Sequence, residues 1–188
     1  MTLLQGCKLT YFPLAGRAEA ARLALAIGGI PFDDDRIEFK TGLYPSDPLK
    51  AALIDSLMDA CEDMNPKLNS QGQGLPQEEK EAARAKSMAK GGVVYGMLEA
   101  VDKFIAANGK NGHAVGDSLT VADLFVFAGC CALTSGIFDG VPLDAIDSGL
   151  DNIMAVRKKV RSLEAVAKWY DELAAKDVTM PASYGPFN

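Results

Sequence analysis

The sequence predicts an α+β protein, with a short βαβ unit in residues 1–41 and an all-helical domain in residues 42–188. Three observations predict this. Lys8, Leu9, Thr10, Tyr11 and Phe12 form a short run of β-branched and aromatic residues, the composition of a strand. A helical pattern from Arg17 and a polar/apolar alternation over Arg36, Ile37, Glu38 and Phe39 complete strand, helix, strand within about 30 residues. Beyond Pro48, apolar residues recur at helical spacing almost to the end of the chain.

Each element has a local cause. Pro13 has no N–H to give a ladder, so it ends the first strand, and Gly16 allows a sharp turn. Ala18, Ala21, Leu23, Leu25 and Ala26 form the expected apolar stripe of the first helix, and Gly28-Gly29 stops it. Asp33, Asp34 and Asp35 read as a solvated acidic patch or turn before the second strand. Two strands joined through a helix should be parallel, with a right-handed crossover, which is how a thioredoxin-like domain begins. Tyr11 closes the first strand just before a helix N-terminus, where an anion such as a thiolate is favoured. An ordinary strand aromatic with its hydroxyl at the surface fits the same segment.

A turn-rich connector, residues 40–48, leads into a helix over 47–64 capped by Ser46 or Asp47, with Pro48 in its first turn. Leu49, Leu53, Leu57, Ala60 and Met64 make its stripe, widened by Ile54, Met58 and Cys61, while Asp55, Asp59, Glu62 and Asp63 make an acidic ridge. Residues 65–75 read as a loop and 77–107 as one long helix that tolerates Gly91, Gly92 and Gly96 through close packing. Ala82, Ala85, Met88 and Ala89 are its expected inward residues. Thr120 and Asp123 are spaced as a capping box, with Leu119 and Leu124 as the staple, opening a very apolar and therefore central helix over 121–133. The last helices are expected over 150–160 and 163–175, with Trp169 among the core residues.

Composition narrows the chemistry. The chain has 188 residues and a net charge of −6, which argues against nucleic acid or an anionic membrane as partner. No stretch of about 18 apolar residues proposes a membrane span. The amino end lacks the pattern of a signal peptide, so a cytoplasmic location is expected, or an organelle if a transit peptide has been removed. Cys7, Cys61, Cys130 and Cys131 include no CxxC pair, which speaks against both a thioredoxin-like redox protein and a metal site. They read as buried reduced thiols, and His113, in a Gly/Asn loop, as a solvated side chain.

The segment LTYFPLAGRAE resembles the opening of the soluble glutathione transferases, closest to their sigma branch, which includes the haematopoietic-type prostaglandin D synthases. The later pattern Gly116-Asp117-Ser118-Leu119-Thr120-Val121-Ala122-Asp123 resembles the buried helix of that family's C-terminal domain, and stands in the right order. The resemblance implies a detoxification-type transferase in which residues 1–41 are a partial glutathione-binding, thioredoxin-like domain. It implies Tyr11 as the catalytic group that activates glutathione, with Arg17 and Asp63 as glutathione-binding residues. Asp63 would meet the glutathione amino group of the neighbouring subunit of a homodimer. Phe12, Leu14 and Tyr184 would border an apolar acceptor pocket. No metal is implied.

The chain departs from the family pattern in one place. Between Phe39 and Thr41 a block of about forty residues is lacking, by the usual size of such elements. In the family it carries two strands, a helix, a cis-proline and an acidic/Gln-Ser pair that hold glutathione. Either the block is missing from the protein or it is missing only from this stretch of sequence. Two functions follow: a glutathione transferase, or a transferase-like scaffold or complex subunit that has given up catalysis. If residues 1–188 are the whole chain, feeble or no conjugation is expected, because two or three hydrogen bonds to charged groups are lost, each contributing about 1.5–3 kcal/mol.

Overall fold

β1 (Cys7–Tyr11), α1 (Glu19–Ile27) and β2 (Phe32–Arg36) open the chain in a computed structural model that describes residues 7–11, 18–36, 42–175 and 181–184. The chain divides into two compact units, Met1–Tyr44 and Pro45–Asn188.

In the first unit β1 and β2 pair in parallel, with Cys7 opposite Phe32, Leu9 opposite Asp34 and Tyr11 opposite Arg36. The βαβ unit is therefore as expected, and its second strand starts earlier than the alternation placed it. The strand is built from the acidic triplet itself, and residues 37–39 lie outside the described residues. Aspartates disfavour strands, yet two of these find cations. Asp35 Oδ2 lies 2.9 Å from Lys8 Nζ and accepts a hydrogen bond from the Thr10 hydroxyl at 3.0 Å. Asp34 takes Arg22 and Arg36 on its two oxygens.

The expected stripe of α1 is also corrected. Leu23 and Ile27 are exposed, at 54% and 87%, and the buried side chains are Ala18 and Arg22. The charge of Arg22 selects that inward face, because Asp34 lies beneath it. The helix ends as expected: the Gly28 N–H reaches the Ala24 carbonyl, and Gly29 has φ +61.

The second unit is helical. α2 (Pro48–Asn69) starts where Asp47 Oδ1 accepts the Lys50 N–H at 2.8 Å, with Pro48 at the first position. It runs past Met64 and through Pro66, so part of the expected loop is helix. Met64 and Leu68, both fully buried, hold that final turn. The Lys67 carbonyl there accepts from the Ser70 hydroxyl and from Gln71 Nε2. Ile54, Leu57 and Cys61 face inward, whereas Leu49 is 71% exposed.

The single long helix expected next is two: α3 (Gln77–Met88) and α4 (Val93–Asn108). Gly91 has φ +85, and a Cβ on Gly92 would run into the Lys86 and Ser87 carbonyls, so these glycines make an elbow. Gly96 faces open space, and close packing does not explain it. Arg84, Ser87 and Met88 are the buried residues of α3, while Ala82 and Ala89 are exposed.

α5 (Val121–Leu133) has the expected bounds and packs on α2 and on α6 (Asp151–Arg161). Its capping box forms: Asp123 Oδ2 accepts the Thr120 N–H at 2.7 Å and the Thr120 hydroxyl at 3.0 Å, while Oδ1 accepts the Ala114 N–H at 2.7 Å. His113 is buried rather than solvated, with Nδ1 3.6 Å from Asp123 Oδ1. The loop folds back onto the helix cap because that carboxylate accepts its Ala114 N–H. α7 (Glu164–Ala174) leaves Trp169 57% exposed. Tyr170 takes the inward place instead, with the Arg161 guanidinium 5.2 Å from its ring centre.

Candidate functional site

Tyr11 is half-buried at the carboxyl end of β1. In open parallel sheets, ligands bind outside the carboxyl ends of the strands, so its position suits a binding role. The sequence places Phe12, Leu14 and Arg17 next to it, and all three lie outside the described residues.

Beside Tyr11 lies an ion cluster that sequence reasoning missed. Arg22, 6% exposed, projects from α1 with its guanidinium carbon 6.0 Å from the centre of the Tyr11 ring. Its Nε donates to Asp34 Oδ1 at 2.9 Å and its Nη1 to Glu19 Oε2 at 3.1 Å. Arg36 Nε donates to Asp34 Oδ2 at 2.8 Å. The hydrogen bond from Arg22 is the main reason that the Asp34 carboxyl is held below its ordinary value. The hydrogen bond from Lys8 does the same for Asp35, and Asp35 in turn raises the Lys8 ammonium. The sequence carried one signal for this cluster: Glu19 and Arg22 stand three apart on an otherwise apolar helix, the spacing of facing side chains.

The other expected site residues belong to the second unit. Asp63 stands on the exposed side of α2, on the same ridge as Asp55, Asp59 and Glu62. Tyr184 ends a 3₁₀ turn, Ala182–Tyr184, and packs with Phe127 of α5 and Tyr170 of α7 at ring-centre distances of 6.1 and 6.0 Å. Burial pushes its hydroxyl up from its ordinary value. The turn is pinned by backbone and side chain together. Cys131 Sγ donates to the Ser183 carbonyl at 2.9 Å, Ser183 Oγ donates to the Cys131 carbonyl at 2.8 Å, and Arg161 Nε donates to the Tyr184 carbonyl at 3.0 Å.

The cysteines are free, and Cys61, Cys130 and Cys131 are buried. Burial pushes the Cys61 thiol up to about 12 and the Cys131 thiol up to about 11, and it raises Cys130 too. These thiols are poor nucleophiles at neutral pH, since the thiolate is the reactive form. Among the described residues no group of His, Cys, Asp and Glu is arranged to hold a metal, and no helix is long and apolar enough to cross a membrane. A cleft of about 420 Å³ opens at the α3–α4 elbow, lined in part by Met88, Ala89, Lys90, Tyr95, Pro142 and Ala145.

Comparison with known proteins places this arrangement. Residues 67–172 match the family described as glutathione S-transferase, C-terminal domain. No curated protein matches the chain. Among solved structures, the chain is similar to a Pi-class glutathione S-transferase of Onchocerca volvulus, at 19% identity and a TM-score of 0.57, covering 91% of this chain and 95% of that one. It is similar to prostaglandin synthase D of Nilaparvata lugens, at 21% identity and a TM-score of 0.58, covering 88% and 96%. It is also similar to the sigma class transferase of Fasciola hepatica, at 20% identity and a TM-score of 0.55, covering 93% and 97%. At these identities the likeness is one of fold: a truncated thioredoxin-like start followed by a helical domain.

Proposed function

The chain belongs to the glutathione S-transferase family, and from that premise we propose that it activates the thiol of glutathione for attack on a small apolar electrophile, or for isomerisation of one. The observation that carries this reading is Tyr11, half-buried at the carboxyl end of β1 in a parallel βαβ unit. A thiol near its ordinary value of about 8.5 is mostly protonated at neutral pH. A hydroxyl that donates to sulfur favours the thiolate. Tyr11 is that donor. The thiol proton passes to solvent and sulfur forms the new bond to the electrophile, while the bond to a leaving group, or a π bond, breaks and its electron pair goes to the leaving group or to the conjugated electron-withdrawing group.

The other roles extend the same reading. Residues 1–41 bind glutathione, with Arg17 holding the site. Asp63 meets the amino group of glutathione across a homodimer, and Phe12, Leu14 and Tyr184 border the acceptor. The compartment is the cytoplasm. Tyr11→Phe tests the proposal: kcat for a standard electrophile should fall about a hundredfold, as when one preorganised donor to a developing anion is removed. Equal rates for both proteins would remove Tyr11 from the mechanism. Titration calorimetry with glutathione separates an enzyme from a scaffold, since a scaffold that has lost the site releases no heat of binding while its fold stays intact.

A further inference from the structure

We infer that Arg22 is a positioning residue for Tyr11, setting the direction of the Tyr11 hydroxyl by holding its ring from the side of α1. The inference rests on the reading of Tyr11 given above. Its ground is geometric. Arg22 is buried on a helix whose larger apolar side chains, Leu23 and Ile27, are left exposed, so a charge occupies the inward place that burial of apolar area would otherwise fill. Two carboxylates fix the guanidinium in direction: Asp34 from β2 at 2.9 Å and Glu19 from the first turn of α1 at 3.1 Å. So clamped, its carbon lies 6.0 Å from the Tyr11 ring centre, within range of a cation and an aromatic face.

The clamp also reaches the far strand. Asp34 carries Arg36 on its other oxygen, and Arg36 is the register partner of Tyr11. Ring, guanidinium, carboxylate and second guanidinium therefore form one chain of contacts beside the carboxyl end of β1. A hydroxyl carried at the far end of an aromatic ring needs such support, because a small tilt of the ring moves it, and a displacement of about 1 Å at a reacting centre costs up to a hundredfold in rate. Lysine could keep a cation near the ring but has no planar fork to engage two carboxylates at once.

The test uses the full chain with Arg22→Met, Arg22→Lys and Glu19→Gln, and reads two quantities. One is the aromatic NMR signal of Tyr11, assigned by its loss in Tyr11→Phe. The other is the split between kcat and the KM for glutathione. In Arg22→Met the Tyr11 ring signal should shift while the other tyrosine signals stay. Its kcat should fall about tenfold or more, with KM within about twofold. Arg22→Lys should lie between wild type and Arg22→Met in both readings. Glu19→Gln, which changes a half-exposed partner and leaves Asp34 in place, gives a smaller shift of the same sign should Arg22→Met fail to fold. A purely structural ion pair would lower the melting temperature and leave the ring signal of the folded protein unmoved, which would overturn the inference. A moved ring signal with unchanged kcat would overturn it as well. If Tyr11→Phe itself leaves the rate unchanged, the function assigned to Tyr11 fails instead, and the ring signal alone reports whether the Arg22 contact exists.

Discussion

Asp102 of α4 caps the amino end of α6 through Asn152: its Oδ1 accepts the Asn152 N–H at 2.9 Å and its Oδ2 accepts from Asn152 Nδ2 at 2.8 Å. The Ile153 N–H reaches Oδ1 as well, at 2.9 Å. α6 has no capping side chain of its own at Leu150, so a neighbouring helix supplies the acceptor for amides that its first turn leaves open. Asp102→Ala should cost about 2 kcal/mol, the upper end of a cap deletion. Urea unfolding of the variant checks it, and an unchanged midpoint would contradict the capping role.

The Ser183 hydroxyl and the Cys131 backbone carbonyl form one half of the clasp that holds the 3₁₀ turn on α5. Ser183→Ala removes one buried hydrogen bond, and the expected cost is about 1 kcal/mol. Amide exchange at Ser183 and Tyr184 should quicken while exchange in the middle of α5 is unchanged. Uniform quickening would show that the turn is not a separable element.

A methyl group at Gly92 would meet the carbonyls of Lys86 and Ser87, which are backbone and cannot swing away. Gly92→Ala should therefore destabilise the second unit by about 1–3 kcal/mol, the usual range for overpacking. Gly96→Ala, facing open space within a helix, should stabilise it by up to about 1 kcal/mol. Thermal unfolding of the pair compares the two signs directly.

Asp34 and Asp35 are both held below their ordinary value when folded, by the hydrogen bonds from Arg22 and Lys8 respectively. The stability they add is fully present above the unfolded carboxylate value of about 3.9 and is lost as pH falls through their lower folded values. The amides of β1 and β2 should lose exchange protection below about pH 4, before those of α5. Simultaneous loss in both segments would refute this ordering.

Cys7 is half-buried, whereas Cys61, Cys130 and Cys131 are buried with their thiols pushed up. A thiol reagent at pH 8 should label Cys7 first and reach the other three only after unfolding. Mass mapping of the labelled protein reads the order.

Much of the fold was legible along the chain. The Asp47 cap, the stop at Gly28-Gly29 and the Thr120–Asp123 box with the apolar helix behind it are all set by neighbours within a few residues. Short-range hydrogen bonding and periodicity dictate them, and these are present in the sequence. Tyr11 at the end of a first strand was legible in the same way.

What depended on distant partners was not. Asp34 and Asp35 stand in a strand because Arg22 and Lys8, distant along the chain, pair with them while Arg36 of the same strand also meets Asp34, and periodicity does not report such pairing. His113 went inward with its loop because the Asp123 carboxylate holds the adjoining Ala114 N–H, and Tyr170 displaced Trp169 because Phe127, Arg161 and Tyr184 converge there. Sequence alone determined the element ends that a residue a few positions away caps or stops, the starts of α2 and α5 and the end of α1, since local backbone bonding decides those. Which side of each element faces inward, and that a buried arginine stands against Tyr11, only the tertiary structure decided, because burying a charge depends on partners that folding alone brings within reach.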